Sequence, residues 1–189
     1  MVVENVPYIQ SLVYNAQASV SGRAVYYAMT RISLFYEYFT LGGFTMVQLI
    51  VGRKGKGKTK QLLDKVNAEV KDIAGNVVYL DKSTKHMFEL NNKIRLINVA
   101  DYMITNSDEF VGFICGIISQ DHDLQQMYFD SFLKIACLEG SEEESQVVDS
   151  VIRKLEAVST KFNVDFVLSI SLDAHELSED LKSKIIVSL

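Results

Sequence analysis

From Met46 to Leu63 the sequence reads MVQLIVGRKGKGKTKQLL. Its first six residues form a short apolar run of the kind found in buried parallel strands. A turn rich in glycine and lysine follows. From Thr59 to Gly75 the pattern is helical, and Gly75 is well placed to end the helix. The apolar face of this helix consists of Leu62, Leu63, Val66, Val70 and Ile73. The sequence therefore predicts a strand, a tight loop and a helix in succession.

The turn itself, GRKGKGKT, satisfies the spacing G-x-x-x-x-G-K-[ST], with Gly52, Gly57, Lys58 and Thr59 in the fixed positions. Glycines let successive backbone N–H groups surround a phosphate, and the helix that follows points its positive end at the same anion. Lys58 is predicted to bridge the β- and γ-phosphates, and the Thr59 hydroxyl to bind Mg²⁺. The full predicted nucleotide-binding set is Gly52, Arg53, Lys54, Gly55, Lys56, Gly57, Lys58, Thr59 and Lys60.

The rest of the chain alternates strand and helix patterns, which is typical of a parallel α/β sheet. Strands are predicted at 76–81, 94–99, 126–130, 164–171 and 185–189, and further helices at 107–120, 141–162 and 178–184. Ser107 is the expected N-cap of the first of these helices, and Ser141 with Glu144 the expected capping box of the second. The predicted fold class is α/β, with three layers in which helices flank a mostly parallel central sheet.

A magnesium site also needs a carboxylate at the end of an apolar strand. Two aspartates meet this requirement. Asp130 follows the apolar residues MYF and is the preferred candidate, and Asp81 follows VVYL and is the alternative. The metal-binding set is therefore predicted to be Thr59 with Asp130.

Composition limits the remaining classes of function. The chain has 189 residues and a net charge of -5, which argues against a general nucleic-acid binder without excluding a local basic patch. Its cysteines and histidines show no spacing typical of metal ligands. No window offers the roughly 18 apolar residues of a transmembrane helix, and the N-terminus has no basic signal-peptide region. We therefore expect a cytoplasmic protein without a membrane partner.

The composition changes at Met46. Residues 1–45 hold six of the nine tyrosines, the only proline and only four charged residues. The codons for LGGFTM can contain a bacterial ribosome-binding site at the correct distance before Met46. We interpret residues 1–45 as translated upstream sequence and residues 46–189 as the nucleotide-binding domain. The alternative is a genuine extension that packs on the domain or mediates assembly.

From Met46 onward the chain resembles the P-loop ATPase superfamily and, within it, the additional-strand division that includes the AAA+ and RecA-like ATPases. It is also similar to small ATP-binding proteins of Firmicutes, some of which carry a twitching-motility ATPase label. The resemblance implies ATP and Mg²⁺ as ligands. It also implies a polar sensor residue where Ser169 and Ser171 lie, so that Lys58, Asp130 and Ser171 form the expected catalytic set. Lys184 lies where AAA+ proteins often place an arginine finger.

One departure affects the expected activity. Ser131 follows Asp130, where related ATPases usually have a glutamate that orients the attacking water. We therefore expect slow hydrolysis, or hydrolysis completed by a protein partner or a second copy of the chain. Three alternatives remain open: a non-hydrolysing ATP-binding module, a dimeric partitioning-type ATPase with Arg53 in place of its signature lysine, and a small-molecule kinase. No N-K-x-D motif for reading guanine is present.

Overall fold

The computed structural model describes residues 46–140 and 144–189, which contain six β-strands and five α-helices. In chain order these are β1 (Val47–Val51), α1 (Lys58–Glu69), β2 (Asn76–Asp81), β3 (Ile94–Asn98), α2 (Ser107–Gln120), β4 (Leu124–Phe129), α3 (Phe132–Ile135), α4 (Glu144–Phe162), β5 (Asp165–Ile170), α5 (Glu179–Lys182) and β6 (Ile185–Ser188). Two short 3₁₀ turns lie at Val99–Asp101 and Ala174–Glu176. All six predicted strands are present, with ends shifted by at most two residues.

The strands form one sheet in the order β3-β2-β4-β5-β1-β6, and every neighbouring pair is parallel. The carboxyl ends of all six strands therefore lie along the same edge of the sheet. The loop after β1, Asp81 in β2, Asp130 after β4 and Ser169 in β5 all reach this edge. One strand, β5, separates β1 from β4.

Helices cover both faces of the sheet. Alternate residues of a strand point to opposite faces, and in β1 Ile50 joins the apolar cluster under α1 whereas Leu49 and Val51 join the cluster under α2, α3 and α4. Tyr79 of β2 and Tyr128 of β4 belong to the α1 side. The predicted three-layer α/β fold is confirmed, and its sheet is entirely parallel.

Two predicted helix ends were wrong. Helix α1 ends at Glu69, well before Gly75. Gly75 serves a close approach instead, since a Cβ there would lie 2.1 Å from the Asp123 carbonyl oxygen. Helix α2 is capped by Asn106 rather than Ser107, because the Asn106 side chain accepts a hydrogen bond from the Glu109 N–H at 2.9 Å.

Some predictions fall outside the described residues. They are the interpretation of residues 1–45 as translated upstream sequence and the capping box that begins at Ser141. In the part of the chain that the structure describes, no helix has both the length and the apolar character needed to cross a membrane.

Candidate functional site

The predicted phosphate-binding loop connects β1 to α1 and depends on glycine for its shape. Gly57, the N-cap of α1, has a left-handed backbone with φ 90°, and a Cβ at this position would point into open space. Gly52 has φ 143°, and a Cβ there would lie 2.6 Å from the Leu189 carbonyl oxygen. A side chain at Gly52 would thus push the loop away from the residue that follows β6.

The N-terminus of α1 is left without a cap. No side chain accepts a hydrogen bond at Gly57, and no acidic residue lies in the first turn. Among the described residues, the backbone N–H groups of Lys58, Thr59 and Lys60 have no hydrogen-bond partner. Helix α2 differs, since Asn106 caps it and acidic side chains follow. The start of α1 therefore presents unused donors and the positive end of a helix dipole, beside the exposed Lys54 and Lys56.

Lys58 is buried beneath the loop, with 7% of its surface exposed. Its Nζ donates to the carbonyl oxygens of Gly52 at 2.6 Å and Arg53 at 2.9 Å. Burial lowers the pKa of Lys58, although the negative charges of Asp130 and Asp173 oppose this shift. The ammonium group has three donors, and these two bonds leave one for a ligand.

Asp130 brings together the residues that the sequence predicted separately. It is 3% exposed. Its Oδ1 accepts hydrogen bonds from the Thr59 hydroxyl at 3.1 Å, the Ser169 hydroxyl at 2.7 Å and the Ser131 N–H at 2.8 Å. Ser131 adopts a left-handed backbone with φ 52°, which turns its N–H back to the carboxylate. The two predicted magnesium ligands, Thr59 and Asp130, are thus in direct contact.

Of the two predicted sensor residues, the structure places Ser169 against Asp130. Ser171 lies just beyond the end of β5 and is partly buried, and among the described residues its hydroxyl makes no hydrogen bond. The register explains the difference. Leu168 of β5 pairs with Phe129, the last residue of β4. The residues that follow these two, Ser169 and Asp130, therefore lie side by side.

The two aspartates treated as alternatives belong to one cluster. One ligand atom each from Asp81, Asp130 and His86 all lie within 4.8 Å of one another. Asp81 is 1% exposed and accepts the Lys82 N–H at 2.6 Å. Burial, together with the charge of Asp130, raises the pKa of Asp81. Sequence reasoning missed His86 because it considered histidine spacing only relative to cysteines and other histidines. The position of His86, five residues after a strand-ending aspartate, was the available signal.

Arg53, in the predicted phosphate-binding loop, forms ion pairs with two carboxylates. Arg53 Nε donates to Asp173 Oδ2 at 2.8 Å, and Arg53 Nη2 lies 3.1 Å from Glu176 Oε2. These carboxylates raise the pKa of Arg53, chiefly through the Asp173 hydrogen bond. The guanidinium therefore links the loop to the 3₁₀ turn after β5, an ion pair that the sequence did not predict. Lys184, the position compared with an arginine finger, is largely buried and pairs with Glu156 of α4 at 2.7 Å.

The comparisons with known proteins do not assign the chain to a family. No protein-family model matches the chain, and a search of curated proteins finds no match.

Proposed function

We propose that residues 46–189 bind Mg·ATP at the loop from Gly52 to Thr59 and hydrolyse it slowly or with the help of a partner. The observation that carries this proposal is the pairing of two features at one edge of the sheet. The N–H groups that begin α1 have no hydrogen-bond partner among the described residues, the buried Lys58 lies with them, and the Thr59 hydroxyl contacts Asp130. Groups that can bind phosphate and groups that can bind Mg²⁺ therefore lie side by side.

The strand order supports the resemblance to the additional-strand ATPases, from which ATP was expected as the ligand. Strand β5 lies between β1, which leads into the loop, and β4, which leads to Asp130. An inserted strand at this place is the feature for which the additional-strand division is named. In the ATPases that the chain resembles, the corresponding strand carries the sensor residue. Here Ser169 of β5 donates a hydrogen bond to Asp130.

The residues fit the ligand as follows. The N–H groups at the start of α1 would bind phosphate oxygens, Lys58 would donate to them, and Thr59 with Asp130 would hold the ion. When bound, Mg²⁺ neutralises the phosphate charge and orients the terminal phosphate. The exposed Lys54, Lys56 and Lys60 add positive charge around the entrance.

The expectation of slow turnover rests on Ser131. Its side chain is a hydroxyl where related enzymes have a carboxylate to orient water, and its N–H is bonded to Asp130. This observation also favours the second candidate function, a module that binds ATP without hydrolysing it.

The test compares Lys58→Ala with Lys60→Ala. Both variants remove one positive charge near the loop, but only Lys58 is buried beneath it. Loss of a charged donor to phosphate costs about 1.5–3 kcal/mol, so Lys58→Ala is expected to weaken Mg·ATP binding roughly 10- to 150-fold. We expect Lys60→Ala to bind within about threefold of the unchanged protein. Isothermal titration calorimetry with Mg·ATP gives both affinities.

Turnover then separates the alternatives. Phosphate release from ATP alone supports an ATPase, and release that needs an added metabolite supports a kinase. Tight binding without turnover supports the module. The proposal fails if the folded protein does not bind Mg·ATP, or if both lysine variants bind equally well.

A further inference from the structure

The cluster of Asp81, Asp130 and His86 holds two buried carboxylates with little compensation. Asp81 and Asp130 come from the neighbouring strands β2 and β4 and carry adjacent negative charges away from water. Such a pair is costly unless a cation lies near it or a proton binds. A cation bound beside the pair would therefore stabilise it.

The surrounding side chains supply little of that charge. Thr59, Ser169 and the Ser131 N–H are neutral donors to Asp130, and the Lys82 N–H is a neutral donor to Asp81. In the described part of the chain, no lysine or arginine nitrogen lies within 4.0 Å of either carboxylate. The side-chain charges of Lys58 and Lys82, and that of His86 when its ring is protonated, act on the two carboxylates without a hydrogen bond to either of them among the described residues.

One ring nitrogen of His86 is held by a carboxylate outside the cluster. Its Nδ1 lies 2.7 Å from Glu89 Oε1. An ionised carboxylate can only accept, so Nδ1 carries the proton, and the lone pair of a neutral ring is on Nε2. A carboxylate that holds one ring nitrogen while the other binds the ion is the usual second layer of a histidine metal site.

A second observation, at Tyr79, also points to a ligand at this cluster. The Tyr79 hydroxyl is fully buried and, among the described residues, has no hydrogen-bond partner. Tyr79 precedes Asp81 by two residues, so both side chains lie on the α1 face of β2. The charges of Asp130 and Asp81 both act on this hydroxyl. A water molecule bound to an ion in the cluster would give the Tyr79 hydroxyl its partner.

We propose that Asp81, Asp130 and His86 bind a divalent transition-metal ion, such as Mn²⁺, in the absence of nucleotide. Two carboxylate oxygens and one imidazole nitrogen suit such an ion better than Mg²⁺, which prefers oxygen ligands alone. The inference goes beyond the proposed function and does not rest on it, because the ion needs neither the loop nor ATP. Asp130 belongs to both sites, so the ion would lie next to the bound phosphates.

The experiment titrates Mn²⁺ into the nucleotide-free full chain and follows the electron paramagnetic resonance signal of hydrated Mn²⁺. We expect one bound ion per chain, which a tenfold excess of Mg²⁺ does not displace. Loss of a metal ligand or of its supporting carboxylate typically weakens binding about 10- to 100-fold, and we expect His86→Gln and Asp81→Asn to fall in this range. Glu89→Gln, at an exposed position, should weaken binding less.

Two controls make the result specific. His175 also clusters with two carboxylates, but Asp173 and Glu176 are paired with Arg53. His175→Gln should therefore leave Mn²⁺ binding unchanged. Lys58→Ala should keep the Mn²⁺ ion while it loses ATP, which separates this inference from the proposed function.

Three results would overturn the inference. They are no Mn²⁺ binding by the folded chain, equal binding by His86→Gln and the unchanged protein, and an equal loss in His175→Gln. Circular dichroism establishes that each variant is folded. If His86→Gln does not fold, Glu89→Gln decides: weaker binding supports the site, and unchanged binding overturns it.

Discussion

At the scale of single residues, Asp130 is the group on which the candidate site depends most. Three donors converge on its Oδ1, from Thr59, Ser169 and the Ser131 N–H. Together they give this buried carboxylate oxygen its hydrogen-bond partners. The sequence predicted Thr59 and Asp130 from motif and strand-end position. It placed Ser171 in the expected catalytic set, whereas the structure brings Ser169 to Asp130, because the contact depends on the register of β4 and β5.

Ser169→Ala tests this arrangement. The change removes one donor from a buried carboxylate without adding bulk. Loss of a hydrogen bond to a buried charge costs about 1.5–3 kcal/mol, so we expect the free energy of unfolding to fall by this amount. Urea denaturation measures it.

Ser171→Ala is the matched control. The Ser171 hydroxyl has no hydrogen bond within the described residues, so its removal should change the free energy of unfolding by no more than about 0.5 kcal/mol. Equal effects of the two changes would show that the Ser169 hydroxyl does not specifically support Asp130.

At the scale of elements, the two ends of α1 are stabilised differently. Its N-terminus has no cap, whereas its last residue, Glu69, is held by Lys65 Nζ and by the Tyr128 hydroxyl, each at 2.5 Å. Apolar packing on β2 and β4 adds to this support. The helix is thus fixed to the sheet at its C-terminal end, and the donors at its N-terminal end are left for a ligand.

Tyr128→Phe should lower the free energy of unfolding, because it removes a hydrogen bond at the C-terminal end of α1, and the size of this loss should depend on pH. Burial alone would raise the pKa of Glu69, but hydrogen bonds from Lys65 and Tyr128 outweigh it and hold the pKa below its ordinary value. Because the folded pKa lies below the unfolded one, this stabilisation is complete above the ordinary pKa and is lost as pH falls through the folded pKa. We expect a loss of about 1–2 kcal/mol at neutral pH and a smaller loss in acid.

Urea denaturation at about pH 7 and about pH 3.5 measures both values. Tyr102→Phe is the control, since among the described residues the exposed Tyr102 hydroxyl makes no hydrogen bond. A loss for Tyr128→Phe that does not change with pH would contradict the role assigned to Glu69.

One error made from sequence, the predicted end of α1, concerns a glycine whose contact lies elsewhere in the chain. The strands were predicted because apolar runs bounded by polar residues identify buried strands without knowledge of their neighbours. Gly75 was assigned to the end of a helix, but its partner is Asp123, which precedes β4. Only the folded sheet brings these two residues together.

At the scale of the whole molecule, strand order determines which side chains meet. Asp81 and Asp130 are distant in sequence and were treated as competitors, yet β2 and β4 are neighbours and place both in one cluster. Alternating strands and helices predict a parallel sheet but not the order of its strands. The joining of His86 to this cluster therefore required the structure.

The predicted start of the nucleotide-binding domain at Met46 gives the last prediction. The Met46 carbonyl accepts hydrogen bonds from the Phe166 N–H at 2.6 Å and the Ser159 hydroxyl at 3.2 Å. A chain that starts at Met46 keeps these bonds and every described strand. We expect it to unfold in one cooperative transition and to bind Mg·ATP within about twofold of the full chain.

A chain that starts at Leu49 is the control. It loses the Met46 carbonyl and the first part of β1, a strand paired with both β5 and β6. Removal of buried residues from an interior strand should abolish the cooperative transition. Thermal unfolding followed by circular dichroism compares the two chains. If the chain from Met46 also fails to fold, residues 1–45 contribute to the domain, and their interpretation as translated upstream sequence is wrong.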